Sequence, residues 1–296
     1  MRRRKSLVFR TVKQDKRRRH LRFVAVMLAV LVAGSAATFL LFMQHYDFDL
    51  GNAFEGIAER RRQETSDEEG KPVIEECTYD ILLFAAEENR SSIDFMCMMK
   101  VTVPDNELVF ACFSPFETVT VGEKTQSFTE IYYSLGPKGL MNAVESRYGV
   151  RPDGYVSSTG TGFASVINYY GGISTTVSPS VSWESGDYSL ILSDGYQILK
   201  GDSLINYIRY QYSRGESGIR NSADLISAVA KMVIDSANGK DVVSTYSYLA
   251  NRVSTSISIV DFSKASAGLQ ALADGEVSYI TVSGVEEYVK AGQQNG

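Results

Sequence analysis

An α/β domain with helices on both faces of a largely buried sheet is predicted by three features of the sequence. Short runs such as Ile81-Leu82-Leu83-Phe84-Ala85 are apolar throughout, as strands covered on both sides must be. Strand-like and helical segments alternate along the chain without any internal repeat. The composition, 44% hydrophobic and 22% charged with 6 prolines, is that of an ordinary globular chain able to bury a core.

The chain opens with a basic tail. Met1 to Arg22 hold eleven Lys/Arg against the single acid Asp15, so the formal charge of −5 hides a strongly acidic remainder. The tail runs straight into twenty-one uncharged residues, Phe23 to Met43. At 1.5 Å per residue this run spans the ~30 Å of a bilayer's hydrocarbon. The expected organisation is therefore a cytoplasmic tail (1–22), one transmembrane helix (23–43), an extracytoplasmic stalk (44–78), the folded domain (79–285) and a polar tail (286–296). The arginines beside the span keep the N-terminus inside by the positive-inside rule. Gly34-Ser35-Ala36-Ala37 resembles a signal-peptide cleavage site, but the apolar run continues past it. Under either reading the domain is exported, and an exported acidic domain excludes nucleic acid as a partner.

Within the domain, Ile93–Val103 and Leu108–Phe113 read as a hairpin about Pro104-Asp105-Asn106. From Pro137 the period becomes helical, with Leu140, Val144 and Tyr148 on one face, Gly149 as the stop and Pro152 beyond it. A second helix covers about Thr161 to Tyr170 and ends at Gly171-Gly172, before a strand at Ile173–Val177. A Gly- and Ser-rich excursion surrounds Trp183. Helices then start near Asp202 and near Asn221, the latter burying Leu225, Ile226, Val229, Ala230 and Val233. Val242–Val253 is predicted helical, Ser256–Ile259 a strand, Lys264 onward a helix, and Val277–Val282 a last strand.

Three cysteines, Cys77, Cys97 and Cys112, do not form a disulfide framework. Pairing about the hairpin turn brings Cys97 and Cys112 nearly opposite each other, as small buried hydrophobes or as an adjacent-strand disulfide. The only histidines, His20 and His45, flank the membrane run, which excludes histidine catalysis. No P-loop, dinucleotide fingerprint, nucleophile elbow or paired metal-ligand motif is present.

Several short strings, in order, resemble the LytR-CpsA-Psr family of Gram-positive cell-envelope proteins. They are Ala86-Glu87-Glu88-Asn89-Arg90, Ser92-Ile93-Asp94-Phe95-Met96, Ser114-Pro115-Phe116-Glu117-Thr118, Ile167 to Ile173 with its Gly171-Gly172 pair, and Gly195 to Arg209. The resemblance spans Tyr79 to Gly284 and includes the preceding tail and membrane run. It implies a layered α/β/α LytR-CpsA-Psr-like domain preceded by one transmembrane helix. It also implies transfer of a glycopolymer from a polyprenyl pyrophosphate carrier to peptidoglycan, with arginines on the pyrophosphate, acids on a Mg²⁺ ion and an apolar cavity for the lipid. Carried onto this chain, the phosphate ligands are Arg90, Arg209 and Arg220, the metal ligands are Asp94, Glu88 and Glu117, and the catalytic pair is Asp94 and Arg209.

The chain departs from that pattern where the chemistry is most demanding. Phe116 and Glu117 stand where the family places Arg and Asp, and Gln211 replaces a second arginine. Each lost arginine–phosphate contact removes a charged hydrogen bond of about 1.5–3 kcal/mol. The expectation is an anchored protein that binds a lipid-linked glycopolymer or a partner with impaired catalysis; the alternative is an active phosphotransferase. Apart from any phosphate role, Asp94 reads as a strand cap or a partner of Arg90, and Arg209 as a C-terminal cap following a helix. Tyr169, Tyr170, Tyr207, Tyr210 and Tyr212 read as core or rim packing.

Overall fold

The computed structural model describes residues 77–87, 92–103, 105–122, 124–238, 242–250, 252–258, 262 and 265–293. The expected tail, membrane span and stalk, and the candidate residues Glu88 and Arg90, lie outside the described residues. No helix among the described residues is long and apolar enough to cross a membrane.

A six-stranded mixed sheet runs in the order β11 (Ser254–Thr255), β6 (Gly154–Ser158), β1 (Cys77–Ala86), β2 (Ile93–Val103), β3 (Glu107–Phe113), β12 (Ser278–Thr281). Its centre is the antiparallel meander β1, β2 and β3. The β2–β3 turn passes through Asn106 at φ 51, in the left-handed region that asparagine tolerates better than most residues. The predicted hairpin register holds, and Cys97 lies directly opposite Cys112, both as buried free thiols. On the outer side, β6 runs parallel to β1 and β12 parallel to β3. The two-residue β11 closes one edge.

Because side chains alternate along a strand, apolar strands present two hydrophobic faces, and each needs its own cover. Leu82, Phe84, Met96, Met98 and Val109 pack beneath α1 (Phe128–Tyr148) and α7 (Val285–Gln293). Phe95, Cys97, Phe110 and Cys112 lie beneath α2 (Gly160–Tyr170), α3 (Gly201–Ser213) and α4 (Glu216–Ala237). The shorter α5 (Val242–Ala250) and α6 (Ser266–Asp274) follow on this second side. Three two-stranded ribbons decorate the domain: β4 (Thr118–Val121) with β5 (Lys124–Ser127), β7 (Ile173–Val177) with β10 (Gly195–Leu199), and β8 (Val181–Ser185) with β9 (Tyr188–Leu192).

The three-layer arrangement agrees with the predicted fold class, with several local corrections. Helix α1 starts at Phe128 rather than Pro137. A Ser127–Glu130 capping box initiates it, and Gly136, at φ 71, kinks it just before the proline. The excursion around Trp183 is the β8–β9 hairpin; no strand forms at 256–258 of the expected Ser256–Ile259, and the two-residue β11 lies just before it. Residues expected as a polar tail form α7, because its few apolar side chains fall on one face. Tyr288 on that face is fully buried; its hydroxyl donates to Asp80 and its ring lies beneath the Lys100 ammonium at 4.8 Å.

Replacing Tyr288 with Ala is expected to cost about 3–5 kcal/mol, the usual range for removing a large buried aromatic. Urea denaturation checks this, and an unchanged midpoint would mean that α7 does not dock.

Candidate functional site

Helix α4 carries the long apolar stripe that the sequence predicted, but only part of it is fully buried. Leu225 and Ile226 are buried, whereas Val229, Ala230 and Val233 are half-buried and line an apolar cavity of about 340 Å³. The floor of the cavity is the sheet at Leu83, Phe95, Met99, Val101 and Leu108. Its walls are Phe163 and Val166 of α2, α4 itself, and Leu249 and Leu272 of α5 and α6.

A second pocket of about 520 Å³ adjoins the first and is the more polar of the two, with a mixed lining. Glu87, Tyr132, Tyr133, Thr159, Arg252 and Ser254 line it, together with the Gly136-Pro137 kink of α1. Ser157 and Ser158 line both pockets, so an apolar chamber and a polar one share a wall at the carboxyl end of β6. In open α/β sheets this carboxyl end is where ligands are usually held. The N-terminus of α2, capped by the Thr159 hydroxyl accepting from the Gly162 N–H at 3.0 Å, opens on the same pocket.

Beside these chambers, Asp94 and Arg209 form a buried ion pair. Arg209 Nε donates to Asp94 Oδ1 at 2.7 Å and a terminal nitrogen donates to Oδ2 at 3.0 Å. The other terminal nitrogen donates to Asn206 Oδ1 at 2.8 Å, and the guanidinium lies 3.7 Å from the centre of the Tyr188 ring. Tyr188 in turn donates to Glu87 Oε1 at 2.9 Å, and its hydroxyl is pushed up to about 12, by burial first and then by Glu87. Helix α2 meets the pair through Gly160, where a Cβ would stand 2.6 Å from the Arg209 guanidinium. Burial raises the Asp94 carboxyl above its ordinary range, while Arg209 pulls in the opposite direction.

Of the other candidates, Glu117 at the head of β4 accepts from Arg147 Nε at 2.7 Å and from the Tyr148 hydroxyl at 2.5 Å. It lines a separate pocket with Glu216, Glu286, Glu287 and Lys290. Arg220 is mostly exposed, with its nearest partner Glu216 at 3.8 Å. Both arginines sit inside helices rather than at the ends predicted for them. Helix α3 continues to Ser213, and α4 begins at Glu216, after Gly215 at φ 73. Asp94 and Arg209 are thus brought together, whereas Glu117 and Arg220 are held elsewhere. Every oxygen of Asp94 and Glu117 already accepts from a cation or a hydroxyl. Among the described residues no three acids, cysteines or histidines are grouped to hold a metal ion, so these carboxylates as arranged do not fit Mg²⁺. Phe116, standing where the family places an arginine, is 64% exposed and does not line either of the two adjoining chambers.

Arg252, which the sequence does not single out, is the one cation among the described residues that line the polar pocket. It follows a helix in a stretch with no motif; only its basic side chain, one helical turn after Tyr248, was there to be read.

Asp94 titrates higher in the folded chain than its ordinary value of 3.8. Above that value the unfolded chain has already released the proton that the folded chain keeps, so Asp94's contribution to stability falls as pH rises through the window up to its folded pKa. Urea midpoints measured against pH should show this decline in the wild type and lose it in Asp94→Asn. Arg209→Leu, which leaves a buried carboxylate unpaired, should widen the window and cost about 3–5 kcal/mol.

No curated protein matches the chain. Solved structures with the same fold include TagV of B. subtilis, at 16% identity and a TM-score of 0.57 over 70% of this chain and 85% of that one. A putative transcription regulator from Eubacterium siraeum aligns at 14% identity and a TM-score of 0.63, over 78% of this chain and 97% of the other. TagT bound to LI-WTA aligns at 17% identity and a TM-score of 0.51, over 69% and 78%. At such identities the likeness concerns the fold alone. The LytR_cpsA_psr family model, however, matches residues 80–295, nearly the whole of the domain described above, and the chain belongs to that family.

Proposed function

We propose that this protein is a membrane-anchored, extracytoplasmic member of its family that serves cell-envelope biogenesis by binding a polyprenyl-(pyro)phosphate-linked glycopolymer, with phosphoryl transfer impaired. The observation that carries the reading is the wall shared at Ser157 and Ser158 between an apolar cavity and a polar pocket. An amphiphile with a branched hydrocarbon tail and an anionic head matches that pair of chambers. A protein of this fold, TagT, has been solved bound to LI-WTA. The tail would occupy the cavity under α4. The head would meet Arg252 and the positive end of the α2 dipole. Glu87 lines the same pocket and opposes an anion there.

Impaired transfer is supported by the way the remaining arginines are used. Phosphoryl transfer needs cations free to follow the charge that develops on the transferring group. Arg209 is held by Asp94 and Asn206 through three hydrogen bonds, and Arg220 faces Glu216 outside the polar pocket.

The second reading, an active phosphotransferase that attaches the polymer to peptidoglycan, is favoured by one observation: Asp94 and Arg209 are both kept and in contact. In that reading an anionic ligand displaces the Asp94 carboxylate from the Arg209 guanidinium and takes up its hydrogen bonds.

Calorimetry with the full chain in nanodiscs and a short-chain polyprenyl pyrophosphate tests both. Binding is expected without Mg²⁺, to be lost when Val229→Trp fills the cavity, and to weaken about tenfold in Arg252→Ala, the loss of one charged hydrogen bond. No binding at millimolar ligand would sink the amphiphile reading. Binding that requires Mg²⁺ and weakens tenfold or more in Arg209→Ala would instead favour the transferase.

A further inference from the structure

A stack of three side chains leads out of the polar pocket to the surface. The Arg252 guanidinium, which lines the pocket, lies 3.7 Å from the centre of the Tyr248 ring. Tyr248 stacks on Tyr169, with centroids 4.0 Å apart and planes inclined by 27°. Tyr170 meets Tyr169 edge-on at 4.9 Å and lies 6.2 Å from Tyr248. These three separations make nearly a right angle at Tyr169. Tyr170 therefore sits at the rim of the Tyr169 ring, not over its outer face. Tyr169 is 61% exposed, so that outer face is open to solvent while its inner face is fixed by the stack.

We propose that the outer face of Tyr169, backed by Tyr248 and Arg252, is a saccharide-binding platform at the mouth of the polar pocket. The electron-rich face of a tyrosine attracts the weakly positive C–H face of a pyranose, much as it attracts the positive edge of another ring. A ring already held by its neighbours loses little rotamer freedom on binding. One ring face is far smaller than the ~800 Å² per partner that a stable protein interface buries, but it matches a single sugar. The strong negative charge of the chain outside its basic tail disfavours a polyanionic nucleic acid, whose bases also stack on such rings. Sugars of the donor polymer and sugars of the peptidoglycan acceptor share this chemistry. The identity of the carrier rests on the function proposed above, whereas the platform itself does not.

The test uses the full chain in nanodiscs, with chitotetraose, cellotetraose and maltotetraose as probes and saturation-transfer NMR as the readout. At least one probe is expected to bind, with transfer concentrated on its ring C–H protons. Tyr169→Ala should reduce that signal at least fivefold and Tyr169→Phe should preserve it, while both leave polyprenyl pyrophosphate binding unchanged. Displacement of the sugar by a lipid-linked oligosaccharide would assign the platform to the donor, and simultaneous binding would assign it to the acceptor. Absence of transfer to all three probes, or a signal that Tyr169→Ala does not reduce, would overturn the platform. Either result could coexist with intact lipid binding, which keeps the two proposals separately testable. A Tyr169→Ala chain that no longer binds the bare lipid would also overturn it, since the residue would then be supporting the cavity.

Discussion

Strands β1 and β2 are apolar on both sides, and the architecture follows from having to cover both faces. On one side α1 and α7 lie against the sheet, and Phe84, Phe128 and Tyr288 are completely or almost completely buried between them. On the other side the cover is assembled from several helices of different lengths. Helix α4, with α2, α5 and α6, leaves a chamber against the sheet in which apolar side chains face one another across a gap. Such a gap forfeits dispersion contacts and lowers stability in proportion to its size. A fold that keeps one is more stable with an apolar guest than without it, so the chamber is as much a thermodynamic feature as a geometric one.

The Asp94–Arg209 pair has a different role. Buried ion pairs are weak sources of net stability, because desolvation consumes most of the Coulombic gain. Their geometry is nonetheless demanding, since either charge alone would be expensive to keep. Here the pair fixes α3 to β2 and sets how closely α2 can approach through Gly160. It also leaves this part of the site electrically neutral. Any anion arriving there competes with a carboxylate that already holds the guanidinium by two hydrogen bonds, which is a physical reason for a binder to be a poor catalyst.

Much of the fold was legible in the sequence. The β2–β3 hairpin and its Cys97–Cys112 register followed from apolar runs about a turn. The α2 stop at Gly171 and the stripe on α4 followed from glycine chemistry and helical period. What was not legible came from effects that a single segment does not carry. The stripe read as core because periodicity records which side chains avoid water, not whether protein or empty space receives them. Helix α1 reads as starting late because Gly136-Pro137 looks like a boundary, whereas a capping box nine residues upstream initiates a helix that survives the kink. The polar composition of α7 concealed Tyr288. In the site, Asp94 and Arg209 were named, but their pairing depends on two elements 115 residues apart. Tyr207 and Tyr212 are packed as expected, whereas Tyr169 is exposed and Arg252 came from a stretch without a pattern.

At the last β2–β3 pair, Met96 with Phe113, the hydroxyl of Tyr212 accepts from the Met96 N–H at 3.1 Å and donates to the Met96 carbonyl at 2.8 Å. One oxygen atom thus does for Met96 what a neighbouring strand would do, satisfying both backbone groups just where β3 runs out. Buried as Met96 is, either group left without a partner would be costly. By placing a phenol near the end of α3, the chain lets a helix finish a rung of its own sheet, so that the helix and the strand are joined by main-chain hydrogen bonds as well as by packing.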